Sequence, residues 1–158
     1  MCSLSNEITH STVDVDTVRS KIKDDSLRLI DVRREEDYNK GHIPNAVNLP
    51  LASLLSDDSP ESVVKLAEDM GISDDTQVVV YDDTFGALAS RVAWTLQYIG
   101  HSNVALLEVT YSQWKELGLK TSNEKPNIKP AKHSLNLKPN IMATAEYLEK
   151  AKEKENVV

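Results

Sequence analysis

Two runs of apolar residues restrict what this chain can fold into more than any other feature. Leu27-Arg28-Leu29-Ile30-Asp31-Val32 and Gln77-Val78-Val79-Val80-Tyr81 are too continuously apolar to alternate between a core face and a wet face. Strands of that kind are buried on both sides, as in parallel sheets covered by helices. A third strand-like run, Asn103 to Leu107, follows Gly100, and a shorter one, Ala46 to Leu49, follows a Gly/Pro turn. Helical spacing fills the intervals: Val15, Val18 and Ile22; Val63, Val64 and Ala67; then Leu88, Val92, Leu96 and Ile99. Asp16 is placed to cap the first of these helices and Gly100 to end the last. The alternation predicts an α/β fold, about five strands in a mostly parallel sheet with helices on both faces. Ligands of such sheets sit beyond the carboxyl ends of the strands, so the turns after Asp31, Tyr81 and Leu107 are where chemistry belongs.

Composition excludes several classes. No apolar stretch approaches the ~20 residues a bilayer span needs. Met1 to Glu7 lacks the basic and apolar regions of a signal peptide and reads as a disordered N-terminal segment, so a cytoplasmic location is expected. A net charge of −7 opposes binding to nucleic acid or an anionic membrane. The single cysteine, Cys2, cannot form an internal disulfide, and with four scattered histidines it makes no zinc pattern. Nothing near Cys2 would activate its thiol, so it reads as incidental. No metal and no organic cofactor is expected.

Residues 8–120 hold the strand and helix patterns. From 121 to 140 the composition turns to lysine, asparagine and proline, with Lys125, Lys129, Lys132 and Lys138 among Pro126, Pro130 and Pro139, which predicts a solvated linker. Residues 141–158 repeat the plan of the chain's opening: an apolar start, Thr144 as a possible cap, a charged helix through Lys154, then Val157-Val158. The offset is about 130 residues, roughly one domain length, so 141–158 is expected to begin a second, truncated domain.

The stretch from Leu29 to Pro50 contains Asp31-Val32-Arg33, an acidic segment, then Gly41-His42-Ile43-Pro44-Asn45-Ala46-Val47-Asn48. It resembles the opening of a rhodanese domain, whose pattern is a strand ending in D-x-R, a short acidic helix and G-H-I-P-x-A-x-N. Val78 to Tyr81 followed by a loop and a helix matches that family's active-site strand and loop. His101, Val104, Leu107 and Trp114 fit its later G-H-x-x-V…W segment. Read from residue chemistry, Asp31 can pair with Arg33, Gly41 admits a backbone conformation that a side chain would disfavour, and Pro44 stiffens the exit to the next strand. Asp31, Arg33 and His42 are expected to brace loops, because buried polar groups mostly satisfy one another.

The resemblance implies a cysteine at the end of the strand, cradled by loop N–H groups. This chain has Asp82 there, opening Asp82-Asp83-Thr84-Phe85-Gly86-Ala87-Leu88. A carboxylate can fill an anion cradle but cannot carry a persulfide. The family's D-G-G turn after the late strand is replaced by Glu108-Val109-Thr110. Both departures resemble the non-catalytic first half of tandem thiosulfate/3-mercaptopyruvate sulfurtransferases. That likeness implies a parent enzyme moving sulfane sulfur from thiosulfate or 3-mercaptopyruvate to a thiophile, with this chain inactive alone. The partners then implied are a second rhodanese domain of the same polypeptide and small sulfur-containing anions, with a homodimer through the exposed interdomain face a further option. Arg91, one turn into the helix after the loop, is either an interdomain or substrate-facing group or a plain surface charge. The alternatives are a complete non-catalytic binding or regulatory module and, from different chemistry, Mg²⁺ held by Asp82 and Asp83. Dual-specificity phosphatases share the fold but also need the missing cysteine.

Overall fold

The structure is a computed structural model that describes residues 11–138; Cys2, Thr144 and the expected second repeat lie outside the described residues. Five strands are present: β1 (Ser11–Val13), β2 (Leu27–Asp31), β3 (Val47–Asn48), β4 (Gln77–Tyr81) and β5 (Val104–Leu107). They form one sheet in the order β1-β5-β4-β2-β3, and every pairing is parallel. The two apolar runs are the adjacent central strands, in a register that sets Asp31 opposite Tyr81. Side chains pointing either way from them are therefore buried, as the sequence demanded.

Helices α1 (Val15–Lys21), α2 (Glu35–Lys40) and α6 (Tyr111–Glu116) cover one face, and α3 (Leu51–Ser56), α4 (Pro60–Asp69) and α5 (Ala87–Tyr98) cover the other. The stripe on α5 works as its spacing requires, with Val92 and Leu96 buried against Val78 and Val80. Trp114 of α6 anchors the opposite cluster with Tyr38, Tyr81 and Val79. No helix among the described residues is long and apolar enough to cross a membrane.

Three local expectations change. The first helix is capped by Asp14, whose carboxylate accepts from the Thr17 amide at 2.7 Å; Asp16 lies inside the first turn. A capping side chain must reach the third helical amide, and only Asp14 stands at that offset. The fifth strand is β1, three residues long, which is too short for periodicity to reveal. Gly41 is extended, with φ 165° and ψ 143°, so backbone freedom is not its reason. A Cβ at Gly41 would come within 2.8 Å of the Tyr111 hydroxyl, so it is the space that demands glycine. Pro44 does stiffen its turn. It precedes Asn45 at φ 68°, and the Ala46 amide closes onto the Ile43 carbonyl at 3.1 Å, the pattern of a type II turn.

Residues 121–138 carry no helix or named strand and are largely exposed, yet they run along the domain. Ser122 pairs with His42 through two backbone hydrogen bonds, and Ile128 packs on the α3–α5 cluster. Gly41→Ala is expected to destabilise the fold by about 1–3 kcal/mol through overpacking against Tyr111. Urea unfolding measures this, and restoration by Tyr111→Phe in the same chain would tie the loss to that contact.

Candidate functional site

The carboxyl ends of β2 and β4 converge on a buried polar hub. Asp31 is fully buried, and its Oδ2 accepts the Tyr81 hydroxyl at 2.7 Å and Arg33 Nη2 at 2.7 Å. Arg33 Nε lies 3.1 Å from both carboxylate oxygens, and the Arg33 amide donates to Oδ1 at 2.9 Å. The guanidinium also donates to the Gly41 carbonyl at 2.7 Å and lies 3.9 Å from the Tyr111 ring centroid. Tyr81 in turn accepts the Ile43 amide at 3.1 Å. Burial works against the charge of Arg33, but the Asp31 carboxylate outweighs it and the guanidinium pKa is raised. Burial, with Asp31 beside it, pushes the Tyr81 hydroxyl well above its ordinary range. The hub is thus an ion pair with a neutral phenol, a structural arrangement that knots β2, β4 and the 41–46 loop together.

Above it stands the loop from Asp82 to Leu88. Asp82 is almost wholly buried, and both of its oxygens are saturated by donors from its own loop and the helix that follows. Oδ1 accepts the amides of Thr84 and Gly86, each at 2.9 Å. Oδ2 accepts the amides of Leu88 at 3.0 Å and Ala89 at 2.9 Å, and the Thr84 hydroxyl at 3.0 Å. Burial alone would raise the Asp82 pKa, but the amides of Ala89, Thr84 and Gly86 reverse this and hold it below the usual carboxylate range. Two of these donors open α5, where unpaired amides favour a negative group. Asp83 is bonded elsewhere. It accepts the Ser112 amide at 2.9 Å and hydroxyl at 2.8 Å, fastening the loop to α6. Converging N–H donors suit an anion and repel a cation, which counts against Mg²⁺ at Asp82 and Asp83. Among the described residues no cluster of metal-ligating side chains is found.

Phe85 rides at the loop's tip with φ 57° and 84% exposure. The amides on either side of it bind Asp82, so the ring is turned outward by the carboxylate it flanks. A recess of about 140 Å³ separates the loop from the turn 108–110. A wider groove of about 640 Å³ lies on the other side, with Arg33, Arg34, Lys40 and Lys115 along it. Thr110, which stands where a glycine was expected, caps α6: its hydroxyl accepts the Gln113 amide while Gln113 reaches back to the Thr110 amide.

The fold and this strand-end loop define a rhodanese-like domain. The profile of that family, the rhodanese-like domain, matches residues 14–117, and the chain belongs to it. The sulfur carrier protein TtuD of Thermus thermophilus is 32% identical over 132 residues, covering 78% of this chain and 46% of that protein. The 3-mercaptopyruvate sulfurtransferase of Mus musculus is 32% identical over 126 residues, 73% of this chain and 42% of that one. The chain therefore spans about half or less of the length of these curated relatives. The crystal structure of SseA from Escherichia coli, a 3-mercaptopyruvate sulfurtransferase, superposes with a TM-score of 0.71 at 23% identity, covering 83% of this chain and 57% of that one, a likeness of fold.

Of the residues singled out in the sequence, Asp31, Arg33 and Gly41 come together in the hub, and Asp82 to Leu88 form the loop above it. His42 is buried and stacked on Tyr38 at 3.9 Å, with Nδ1 on the Ile43 carbonyl at 2.9 Å. It lines neither recess. Arg91 pairs with Asp58 at 3.1 Å and also meets the Thr95 hydroxyl and the Trp94 ring. The hub residues missed by motif reading are Tyr81 and Tyr111; the strand register Asp31–Tyr81 is the signal that points to the first.

Asp82→Asn places an amide group among donors, and a loss of about 1–3 kcal/mol at neutral pH is expected. The folded pKa of Asp82 is depressed, so its stabilising effect is complete above ~3.9 and fades as pH falls through the folded value. Urea unfolding from pH 7 downward should accordingly show a weaker acid dependence in Asp82→Asn than in the parent. Parallel profiles would contradict the assignment.

Proposed function

We propose that this chain is a non-catalytic rhodanese-like half of a sulfurtransferase, whose reaction moves sulfane sulfur from thiosulfate or 3-mercaptopyruvate to a thiophilic acceptor. A second rhodanese domain of the same polypeptide carries the thiol, and this half walls the cleft. The observation that carries the reading is the Asp82 carboxylate in the loop cradle, with both oxygens already saturated. Sulfur transfer needs a group that attacks an outer sulfur and then holds it as a persulfide, and a carboxylate does neither. Its fixed charge also repels an anionic donor from the loop. The names and lengths of the matching relatives support the sulfurtransferase class and a longer parent.

Phe85 supports the domain-contact part. A large apolar ring held outward in a strained backbone conformation invites a partner surface that would cover it. The same feature would serve a stand-alone docking module, the second reading.

Purified chain should form no thiocyanate from thiosulfate and cyanide above buffer, with Cys2→Ser run alongside. Turnover lost in Cys2→Ser would place the chemistry on the N-terminal thiol and overturn the proposal. In Cys2→Ser/Asp82→Cys the new thiol should ionise below the ~8.5 of a free cysteine, because the cradle N–H groups and the α5 terminus favour thiolate. Thiolate absorbance against pH reads this, and an ordinary titration would show that the loop is no anion cradle. A coding sequence that continues past Val158 into another strand ending in cysteine would favour the tandem enzyme over the docking module.

A further inference from the structure

Residues 131–138 cross the far side of the domain from the Asp82 loop as a strap. The Ala131 amide donates to the Glu68 carbonyl at 2.9 Å and the His133 amide to Glu68 Oε2 at 3.0 Å. The Ser134 amide and hydroxyl both reach Asp74 Oδ1, at 3.1 and 2.8 Å. The amides of Asn136 and Lys138 end on the carbonyls of Ile99 and Tyr98, each at 2.9 Å. The approach is close: a Cβ on Gly100 would stand 2.6 Å from the Asn136 carbonyl oxygen.

The strap's one buried side chain is His133, 7% exposed, and it meets His101, 1% exposed. His101 Nδ1 and His133 Nε2 are 2.9 Å apart. The outer nitrogens face carbonyl oxygens: His101 Nε2 lies 2.8 Å from Thr76 O, and His133 Nδ1 lies 2.6 Å from Ser134 O. A carbonyl only accepts, so both outer nitrogens must carry protons. The bridge between the rings holds one more. Three protons on two imidazoles make one positive charge, and that count alone satisfies all three hydrogen bonds.

The charged groups facing the pair agree. Asp74, from the turn before β4, lies 3.6 Å from His133 Nδ1, and the Ser134 hydrogen bonds hold its carboxyl below the usual range. From α4, Glu68 takes the His133 amide. Among the described residues Thr76 and Asn103 also meet His101, through their backbone. A second charge is opposed by burial first and by the neighbouring ring, the causes that lower the His101 pKa.

We propose that His101 and His133 form a proton-sensitive latch that holds the 131–138 strap to the domain. With one shared charge the latch is closed. Loss of that proton leaves one of the three contacts without a donor, and gain of another sets two N–H groups and two charges against each other. Breaking that contact weakens closure on the alkaline side. Burial and the neighbouring ring lower the His101 pKa in the closed pair, so closure also weakens as pH falls below the ~6.5 of free histidine.

The experiment is amide hydrogen exchange of the full chain, followed by NMR from pH 5 to 9 and corrected for intrinsic rates. Protection of Asn136 and Lys138 relative to Val79 in β4 should peak near pH ~6.5 and fall roughly tenfold on each side, the effect of one lost hydrogen bond. His133→Gln keeps a donor and an acceptor but cannot titrate, and should flatten the profile. A flat profile in the parent chain, or an unchanged peak in His133→Gln, would overturn the latch. Should that variant fail to fold, the ¹⁵N–¹⁵N coupling across the bridge decides alone: present near pH ~6.5 and lost near pH ~5 supports it, and absence throughout, or a coupling unchanged at pH ~5, refutes it.

Discussion

The Asp31 carboxylate is the point on which the rest of this structure depends. It is fully buried at the end of a central strand, and the groups that touch it draw separate parts of the chain together. Tyr81 brings β4, Arg33 brings the segment entering α2, and through Arg33 and Tyr81 the 41–46 loop is held by its own backbone. A buried charge costs several kcal/mol unless it is paired and its lone pairs are filled. Once paired, such a cluster tolerates no alternative geometry, because any loosening leaves a charge unpaired in low dielectric. The hub therefore fixes the strand ends from which the Asp82 loop departs.

The loop itself is built for negative charge. Amides at the start of a helix and along a tight turn all point inward, and some anion must answer them. A thiolate would answer them and could take on an outer sulfur as a persulfide. The carboxylate of Asp82 answers them with a fixed charge and cannot carry a persulfide. The same donor set thus serves either a reactive group or a structural one, and a single side chain decides between the two. Phe85 points outward between two of these inward-turned amides, those of Thr84 and Gly86.

Away from the loop, the chain finishes its described course as a strap and not as a free tether. Its lysines and prolines leave it exposed, yet its backbone amides find partners on α4 and at the end of α5, and its one buried side chain closes a histidine pair. Composition describes what such a segment shows to water, while its attachment comes from a few donors and acceptors that composition cannot weigh.

By itself the sequence determined the layered α/β plan, because runs such as Val78 to Tyr81 can be buried only between two helical layers. It also determined the loop's chemical character, because a carboxylate at position 82 cannot carry a persulfide wherever the fold puts it. Short or non-periodic features escaped it: β1 has three residues, and the cap of α1 depends on a reach of three amides that two nearby aspartates could both offer on paper. Only the tertiary structure decided which polar groups meet. The Tyr81 hydroxyl on Asp31, the Tyr111 hydroxyl that crowds any side chain at 41, and His133 against His101 join residues far apart in the chain. Such contacts are set by strand register and by the space left between packed elements, and neither quantity exists until the chain has folded.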